Sequence, residues 1–194
     1  MFETLVNIDW SLFKAINSLH SEFMDLLMWW AADRFFWIPL YLFLAYFLYR
    51  KYGRLGLVMI VFAALLIVIS DQTSVVIKNL VQRERPCHNE ALAFDVHLVH
   101  DNCGGMYGFV SSHAANTMAL ALYIMLLTKM RFRWLNRTLL FYAGVVAYSR
   151  VYLGNHYPAD IVGGWIVGFF AAMVTYYFYR SLAGEKFDTT DSET

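Results

Sequence analysis

The chain has 194 residues, of which 59% are hydrophobic and only 15% charged, and its formal net charge is zero. A soluble domain averages about 45–50% apolar and about 25% charged residues, so this composition excludes an ordinary water-soluble domain, a disordered chain and a disulfide-rich secreted module. The absence of excess positive charge also argues against nucleic acid as a partner. The composition indicates an integral membrane protein, and the length indicates one domain.

The N-terminal residues 1–33 are predicted to form amphipathic helices that lie on the membrane surface. In the first helix, apolar residues recur at helical spacing at Leu5, Ile8, Leu12, Ile16 and Leu19. Asp9, Lys14 and Asn17 lie on the other side of this helix. The second segment, residues 23–32, is too short to cross a bilayer, so both are expected to be interfacial helices.

Five longer stretches carry no charged side chain: residues 35–49, 55–70, 114–128, 138–149 and 161–179. They approach the length that a bilayer requires once their aromatic and basic borders are included. Continuous apolar runs exclude the alternating pattern of a barrel, which leaves helices. The sequence therefore predicts an all-α, polytopic membrane helix bundle of about five transmembrane helices in residues 34–182, followed by a polar tail in 183–194. Gly164 and Gly168 have the spacing that lets two helices pack closely.

The basic residues predict the orientation of these helices. The short connections 50–54 and 129–137 are dense in Lys and Arg, and such loops remain on the cytoplasmic side of a membrane. The segment 79–112 then faces outward.

Polar residues gather at one membrane face, because alternating spans bring four span ends together. The spans end or begin at Lys78, His113, Arg150 and Asp160, and the adjoining segments contribute Arg85, Ser111, Ser112 and His156. Ionisable groups at membrane depth are costly and indicate function. Three cations suit an anionic ligand, and two imidazoles with one carboxylate suit acid–base and nucleophilic chemistry.

The spacing of these residues refines the prediction. Lys78 and Arg85 are seven residues apart, which places them on one stripe of a helix that Pro86 then ends. Residues 111–113 precede the third span, where free amide groups at the start of a helix bind anions.

The segment before the fifth span supplies the candidate nucleophile. Arg150 offers a planar, two-pronged donor to phosphate oxygens. Pro158 suits the first position of a helix. Asp160 is then placed to hold one imidazole nitrogen of His156 and leave the other as the nucleophile.

These residues resemble the motifs of the type 2 phosphatidic acid phosphatase (PAP2) superfamily, which vanadium haloperoxidases and acid phosphatases share. The motifs are Lys78-x6-Arg85-Pro86, Ser111-Ser112-His113 and Ser149-Arg150-x5-His156-x3-Asp160. The resemblance covers roughly residues 50–180 and implies a PAP2/haloperoxidase-like core. The second motif departs from the family pattern, because Val110 stands for its proline and Ser112 for its glycine.

The resemblance implies a membrane lipid phosphatase that acts through a phosphohistidine. In this scheme His156 attacks phosphorus, Asp160 orients His156, and His113 protonates the leaving oxygen and later activates water. The phosphate is held by Lys78, Arg85, Ser111, Ser112 and Arg150. The cations supply the charge that Mg²⁺ would otherwise supply. The enzyme is therefore expected to need no metal and no other cofactor, and to be inhibited by vanadate.

The resemblance does not fix the lipid. We expect undecaprenyl diphosphate to be hydrolysed to undecaprenyl phosphate, with lipid A as the runner-up. Phosphatidylglycerol phosphate, phosphatidic acid and phosphotransfer to another acceptor remain open, as does the oligomeric state. The expected location is the bacterial cytoplasmic (inner) membrane, with the site on its extracytoplasmic side and the bilayer and a phosphorylated lipid as partners. A phospholipid-binding membrane protein without catalysis is the alternative from another class.

The outer loop contains both cysteines of the chain. An extracytoplasmic location permits a disulfide between Cys87 and Cys103. The alternatives are two free thiols, or a zinc site that also uses His88, His97 and His100, although the spacings match no standard zinc pattern.

Overall fold

The computed structural model describes residues 2–92 and 95–183, and these form an all-α bundle, as the sequence predicts. The helices are α1 (Phe2–Asn17), α2 (Glu22–Ala32), α3 (Ile38–Tyr52), α4 (Arg54–Val81), α5 (Ser112–Leu127), α6 (Arg133–Tyr152) and α7 (Pro158–Ala183). The loop between α4 and α5 contains short 3₁₀ turns. Residue 183, the first of the predicted polar tail 183–194, is the last residue of α7, and the rest of that tail lies outside the described residues.

Helix α5 is the centre of the bundle. It packs against α4, α6 and, most extensively, α7. A Cβ atom on Gly164 would lie 2.5 Å from the Ser111 carbonyl oxygen, and one on Gly168 would lie 2.4 Å from the Ala115 carbonyl oxygen. Only glycine permits this approach of the two backbones, which confirms the close packing predicted from the glycine spacing.

The outside of the bundle is apolar. Among the described helices, α4 and α7 are long and apolar enough by themselves to cross a bilayer, with 28 and 26 residues and mean hydropathy of 2.3 and 1.7. The shorter helix α5 is also apolar. Val61, Leu80, Phe170 and Val174 are each more than half exposed, and such surfaces are stable in lipid rather than in water. The count of five spans stays a prediction.

Helix α1 has an exposed apolar face and a polar face that packs against the bundle. Its apolar residues Leu5, Ile8 and Leu12 are exposed, as an interfacial helix requires. Asp9 and Asn17, which the sequence places on the opposite side, are both buried against the bundle. They are buried because they find partners there: the Asn17 amide donates to the Tyr152 carbonyl oxygen at 2.7 Å, for example.

The prediction that α4 continues to Pro86 is wrong. The helix ends at Val81, because Gln82 adopts a left-handed conformation with φ 52° and ψ 32°. The chain then turns, and the Arg85 amide donates to the Met106 carbonyl oxygen at 3.1 Å. Arg85 therefore reaches the site from a loop and does not share a helical stripe with Lys78.

Candidate active site

The loop between α6 and α7 places a histidine in the interior of the protein. His156 is 2% exposed, and its Nδ1 lies 3.4 Å from Oδ2 of Asp160, in the first turn of α7. The same Oδ2 accepts a hydrogen bond from the Tyr157 amide at 3.0 Å. Pro158 begins α7, and this start brings the carboxylate back toward the imidazole.

The second imidazole nitrogen lies among cations. Nε2 of His156 is 3.4 Å from a terminal nitrogen of Arg85. Burial, and then Arg85, Arg150 and Lys78, hold the pKa of His156 well below its ordinary value, while a hydrogen bond to the Gly108 backbone acts in the opposite direction. The imidazole is therefore neutral near pH 7 and has a lone pair available for attack.

The cations around this nitrogen are not fully paired. In the part of the chain that the structure describes, Nε of Arg85 and Nε of Arg150 are buried and have no hydrogen-bond partner. A terminal nitrogen of Arg85 donates to the Asn155 carbonyl oxygen at 3.3 Å. Because unsatisfied buried donors are costly, these atoms form a site that an anion would stabilise.

The start of α5 forms the opposite side of the site. The Lys78 ammonium, near the end of α4, donates to the Ser112 hydroxyl. His113 follows in the first turn of α5 and interacts electrostatically with Arg150 and His156. Ser111 is fully buried, and its hydroxyl accepts a hydrogen bond from the Ala114 amide at 3.4 Å. That hydroxyl thus caps the helix.

The structure therefore brings the sequence-predicted residues to one end of the bundle. Lys78, His113, Arg150 and Asp160 lie at the ends of four helices, as the alternation of spans predicts. Arg85 and His156 reach the same place from loops.

One residue of the site carries no signal in the sequence. A Cβ atom on Gly108 would lie 2.9 Å from Oδ2 of Asp160 and 3.3 Å from Cγ of Arg85. A side chain here would displace the Asp160 carboxylate, so only the backbone of Gly108 forms this wall of the site. Sequence reasoning missed Gly108 because its contacts lie far along the chain.

Sequence reasoning also missed Arg83. It forms ion pairs with Asp160 at 2.8 Å and with Asp9 of α1 at 2.6 Å. These partners are 77 and 74 residues away in the chain, and the sequence places Asp9 only on the polar side of an amphipathic helix.

A disulfide closes the loop beside the site. Cys87 and Cys103 are bonded, with their Cα atoms 5.9 Å apart. Cys87 is two residues from Arg85, and a Cβ atom on Gly104 would lie 3.4 Å from a terminal nitrogen of that arginine. The covalent link therefore joins the two chain segments that flank the Arg85 guanidinium.

The structure does not assemble the alternative zinc ligand set. The ring of His88 lies near the two bonded sulfur atoms. His97 instead lies 3.0 Å from the Asp25 carboxylate, and the ring of His100 packs edge-on against Trp29, with centroids 4.7 Å apart.

Three proteins are similar to this chain in sequence. The chain is 36% identical to a lipid A 4′-phosphatase of Bacteroides thetaiotaomicron, an alignment that covers 94% of this chain and 81% of that protein. It is 29% identical to a lipid A 4′-phosphatase of Porphyromonas gingivalis, over 91% of this chain and 75% of the other. An undecaprenyl-diphosphatase of Sulfolobus acidocaldarius is 27% identical, over 86% of this chain and 76% of that protein.

Two crystal structures have the same fold. A transmembrane phosphatidylglycerolphosphate phosphatase of the PAP2 type from Bacillus subtilis superposes with a TM-score of 0.68 at 21% identity, covering 90% of this chain and 86% of that one. LpxE of Aquifex aeolicus superposes with a TM-score of 0.65 at 23% identity, covering 86% of this chain and 93% of that one. Residues 53–183 match the PAP2 superfamily model, and this range holds Lys78, Arg85, His113, His156 and Asp160. With the motif residues gathered at one end of a fold that these phosphatases share, the chain belongs to the PAP2 superfamily.

Proposed function

We propose that this membrane lipid phosphatase removes a phosphate group from lipid A, and that the 4′-phosphate is its target. The observation that carries the chemistry is a buried neutral imidazole, His156, held by Asp160 on one side and surrounded by incompletely paired cations on the other. The choice of lipid rests on the two lipid A 4′-phosphatases that are similar over nearly the whole chain. They favour lipid A over undecaprenyl diphosphate, the sequence-based first choice.

The first step transfers the phosphoryl group to the protein. Lys78, Arg85 and Arg150 bind the phosphate oxygens and stabilise the charge on them in the transition state. Nε2 of His156 attacks phosphorus, so that an N–P bond forms as the P–O bond to the lipid breaks. His113 donates its proton to the departing oxygen.

The second step releases phosphate. Neutral His113 takes a proton from a water molecule, whose oxygen attacks phosphorus while the bond to Nε2 breaks. Asp160 supports the positive charge that His156 carries as phosphohistidine, and the imidazole returns to its neutral state. Ser112 lies beside the Lys78 ammonium and adds a hydroxyl donor, whereas Ser111 supports the start of α5.

This scheme assigns the role of a metal ion to side chains. Three cations face the site, and the nucleophile is an imidazole that needs no metal to be deprotonated. We expect phosphate release to persist in EDTA and to be inhibited by vanadate, which resembles the pentacoordinate transition state. Loss of activity in EDTA that a divalent ion restores would contradict the scheme.

The site is proposed to open at the extracytoplasmic face of the bacterial inner membrane. The basic segments 50–54 and 129–137 include the junction of α3 with α4 and most of the junction of α5 with α6, at the end of the bundle opposite Lys78 and Asp160. Basic loops stay in the cytoplasm, so the phosphate site is on the other side.

The deciding experiment measures phosphate release by the purified protein from four lipids. They are lipid A, undecaprenyl diphosphate, phosphatidylglycerol phosphate and phosphatidic acid, each in the same detergent, with the His156→Ala variant as control. We expect the largest kcat/KM for lipid A and no turnover by the variant. A larger value for undecaprenyl diphosphate would overturn the choice of lipid. Lipid binding without turnover by the unmodified protein would favour the non-catalytic binder.

A further inference from the structure

Arg83 joins the active site to the N-terminal helix. One terminal nitrogen of its guanidinium donates to Oδ1 of Asp160 at 2.8 Å, and the other donates to Oδ2 of Asp9 at 2.6 Å. The Asp160 side chain is fully buried, that of Asp9 is 10% exposed and that of Arg83 is 25% exposed. Low exposure preserves the strength of such charge-assisted bonds.

The two oxygens of Asp160 have different partners. Oδ2 faces Nδ1 of His156 and the Tyr157 amide. Oδ1 is bound by Arg83. Both oxygens of the carboxylate are thus held, and rotation of the carboxylate would break contacts at each oxygen.

Arg83 is itself held in place. Its guanidinium lies over the ring of Tyr157, 4.1 Å from the centroid. The Tyr157 hydroxyl accepts a hydrogen bond from the Asn89 amide at 3.2 Å, and the ring packs edge-on against Phe13 of α1. A guanidinium that lies over an aromatic ring and also forms a forked pair of ion-pair contacts is an arrangement that lysine does not reproduce.

Asp9 binds the start of α7 as well as Arg83. Its Oδ1 accepts a hydrogen bond from the Ala159 amide at 2.8 Å. That amide is one of the free donors at the start of α7, in the residue before Asp160. One carboxylate of α1 therefore fixes both the arginine that holds Asp160 and the helical turn that carries it.

We propose that Arg83 and Asp9 are positioning residues for phosphoryl transfer: through Asp160 they fix the orientation of the His156 imidazole, so that α1 is part of the catalytic apparatus. This inference rests on the proposed function, in which His156 is the nucleophile. A nucleophile that is misplaced by 1 Å loses on the order of 10²-fold in rate. Arg83 binds the Asp160 carboxylate, and Asp9 binds Arg83 and the Ala159 amide. Both residues therefore act through Asp160, so the loss belongs to kcat and not to KM.

A purely structural role for the network predicts a different result. If Asp9 and Arg83 only attached α1 to the bundle, their substitution would lower the unfolding temperature but leave kcat of the folded variants unchanged. A second ion pair of α1, remote from Asp160, serves as the comparison: Lys14 lies 3.3 Å from Asp95 of the α4–α5 loop, and both side chains are about half exposed or more.

The experiment compares kcat and KM for lipid A in five purified proteins. They are the unmodified protein, Arg83→Gln, Asp9→Asn, the double variant and the control Lys14→Gln. We expect Arg83→Gln to lower kcat by on the order of 10²-fold with little change in KM. Asp9→Asn should lower kcat less, and the double variant should match Arg83→Gln, because both residues act through Asp160. Lys14→Gln should behave as the unmodified protein.

Three results would overturn the inference: an unchanged kcat in Arg83→Gln, a change confined to KM, or an equal loss in Lys14→Gln. Thermal unfolding in the same detergent identifies a variant that does not fold, and the nearly isosteric Asp9→Asn then decides. The unmodified protein separates this inference from the proposed function. Absence of turnover there on any lipid would refute the function, whereas turnover that Arg83→Gln retains in full would refute only the positioning role.

Discussion

His156 and Asp160 meet across the start of α7, with Nδ1 of the imidazole 3.4 Å from Oδ2 of the carboxylate. This contact gives the two imidazole nitrogens different surroundings, because Nε2 lies 3.4 Å from Arg85. One nitrogen is oriented by a carboxylate, and the other faces the cations that are proposed to bind the phosphate. The proposed nucleophile, Nε2 of His156, is thus distinct from the proposed general acid, His113, which belongs to α5.

The two histidines should respond differently to the leaving group. His113→Ala and His156→Ala are both expected to lower the rate with lipid A, by about 10²–10⁴-fold for loss of the general acid. With p-nitrophenyl phosphate, whose leaving group needs no proton, His113→Ala should regain most of the rate of the first step, seen as an initial burst of nitrophenolate, and His156→Ala should give no burst. Hydrolysis of the phosphohistidine still needs His113, so later turnovers of His113→Ala should stay slow. Nitrophenolate release measures this, with the exposed His20→Ala as control. Equal defects of both variants on both substrates would refute the assigned roles.

The pH dependence of kcat/KM should depend on the cations around His156. Burial, Arg85, Arg150 and Lys78 depress the pKa of His156, so the imidazole stays neutral as the pH falls through about 6.5, the value of an unperturbed histidine. The acid limb of kcat/KM is therefore expected below that pH. Arg85→Gln removes one cation while Asp160 remains, so the pKa of His156 rises and the acid limb moves to higher pH.

Ionisation of the substrate does not account for a difference between the two proteins. The second ionisation of a phosphate monoester, near pH 6, affects both proteins equally. A shift of the acid limb between the two proteins is therefore a change in the enzyme, and it is assigned to His156, which must be deprotonated to attack. Profiles of Arg85→Gln and the unmodified protein that superpose after scaling would contradict the prediction.

The sequence was sufficient to predict the residues at the ends of the helices. Long apolar runs determine the helices, and their alternation brings Lys78, His113, Arg150 and Asp160 to one end. The end of α4 was not predictable, because Gln82 is neither glycine nor proline, yet it adopts a left-handed conformation. The loop that follows is hydrogen-bonded to residues 106–108, more than twenty positions along the chain, and no local pattern encodes that pairing.

The contacts that join Asp9, Arg83 and Asp160 were also not predictable from the sequence. A helical pattern divides α1 into an apolar and a polar side, and in a soluble protein the polar side faces water. Here Asp9 is buried because Arg83 and the Ala159 amide satisfy its carboxylate. A surface carboxylate and a buried, paired one have the same sequence signature, so only the arrangement of α1 on the bundle distinguishes them.

The disulfide should stabilise the loop that carries Arg85. The bond between Cys87 and Cys103 closes a loop with a sequence separation of 16 residues, for which the chain-entropy model gives about 3 kcal/mol. We expect reductant to lower the unfolding temperature and to raise KM, because Arg85 loses a covalently fixed neighbour. The double variant Cys87→Ser/Cys103→Ser should have the unfolding temperature and KM of the reduced protein, and reductant should change neither. An unfolding temperature that reductant leaves unchanged in the unmodified protein would contradict the prediction.

The contact between α5 and α7 is tested by adding a single methyl group. In Gly168→Ala the new Cβ would lie 2.4 Å from the Ala115 carbonyl oxygen, so the helices must separate at a cost of about 1–3 kcal/mol. The control is Gly144→Ala in α6, where a Cβ would meet nothing within 4 Å and should stabilise the helix by about 0.5–1 kcal/mol. Unfolding temperatures in detergent should therefore move in opposite directions. A Gly168→Ala variant as stable as the unmodified protein would show that the backbones of α5 and α7 are not in close contact there.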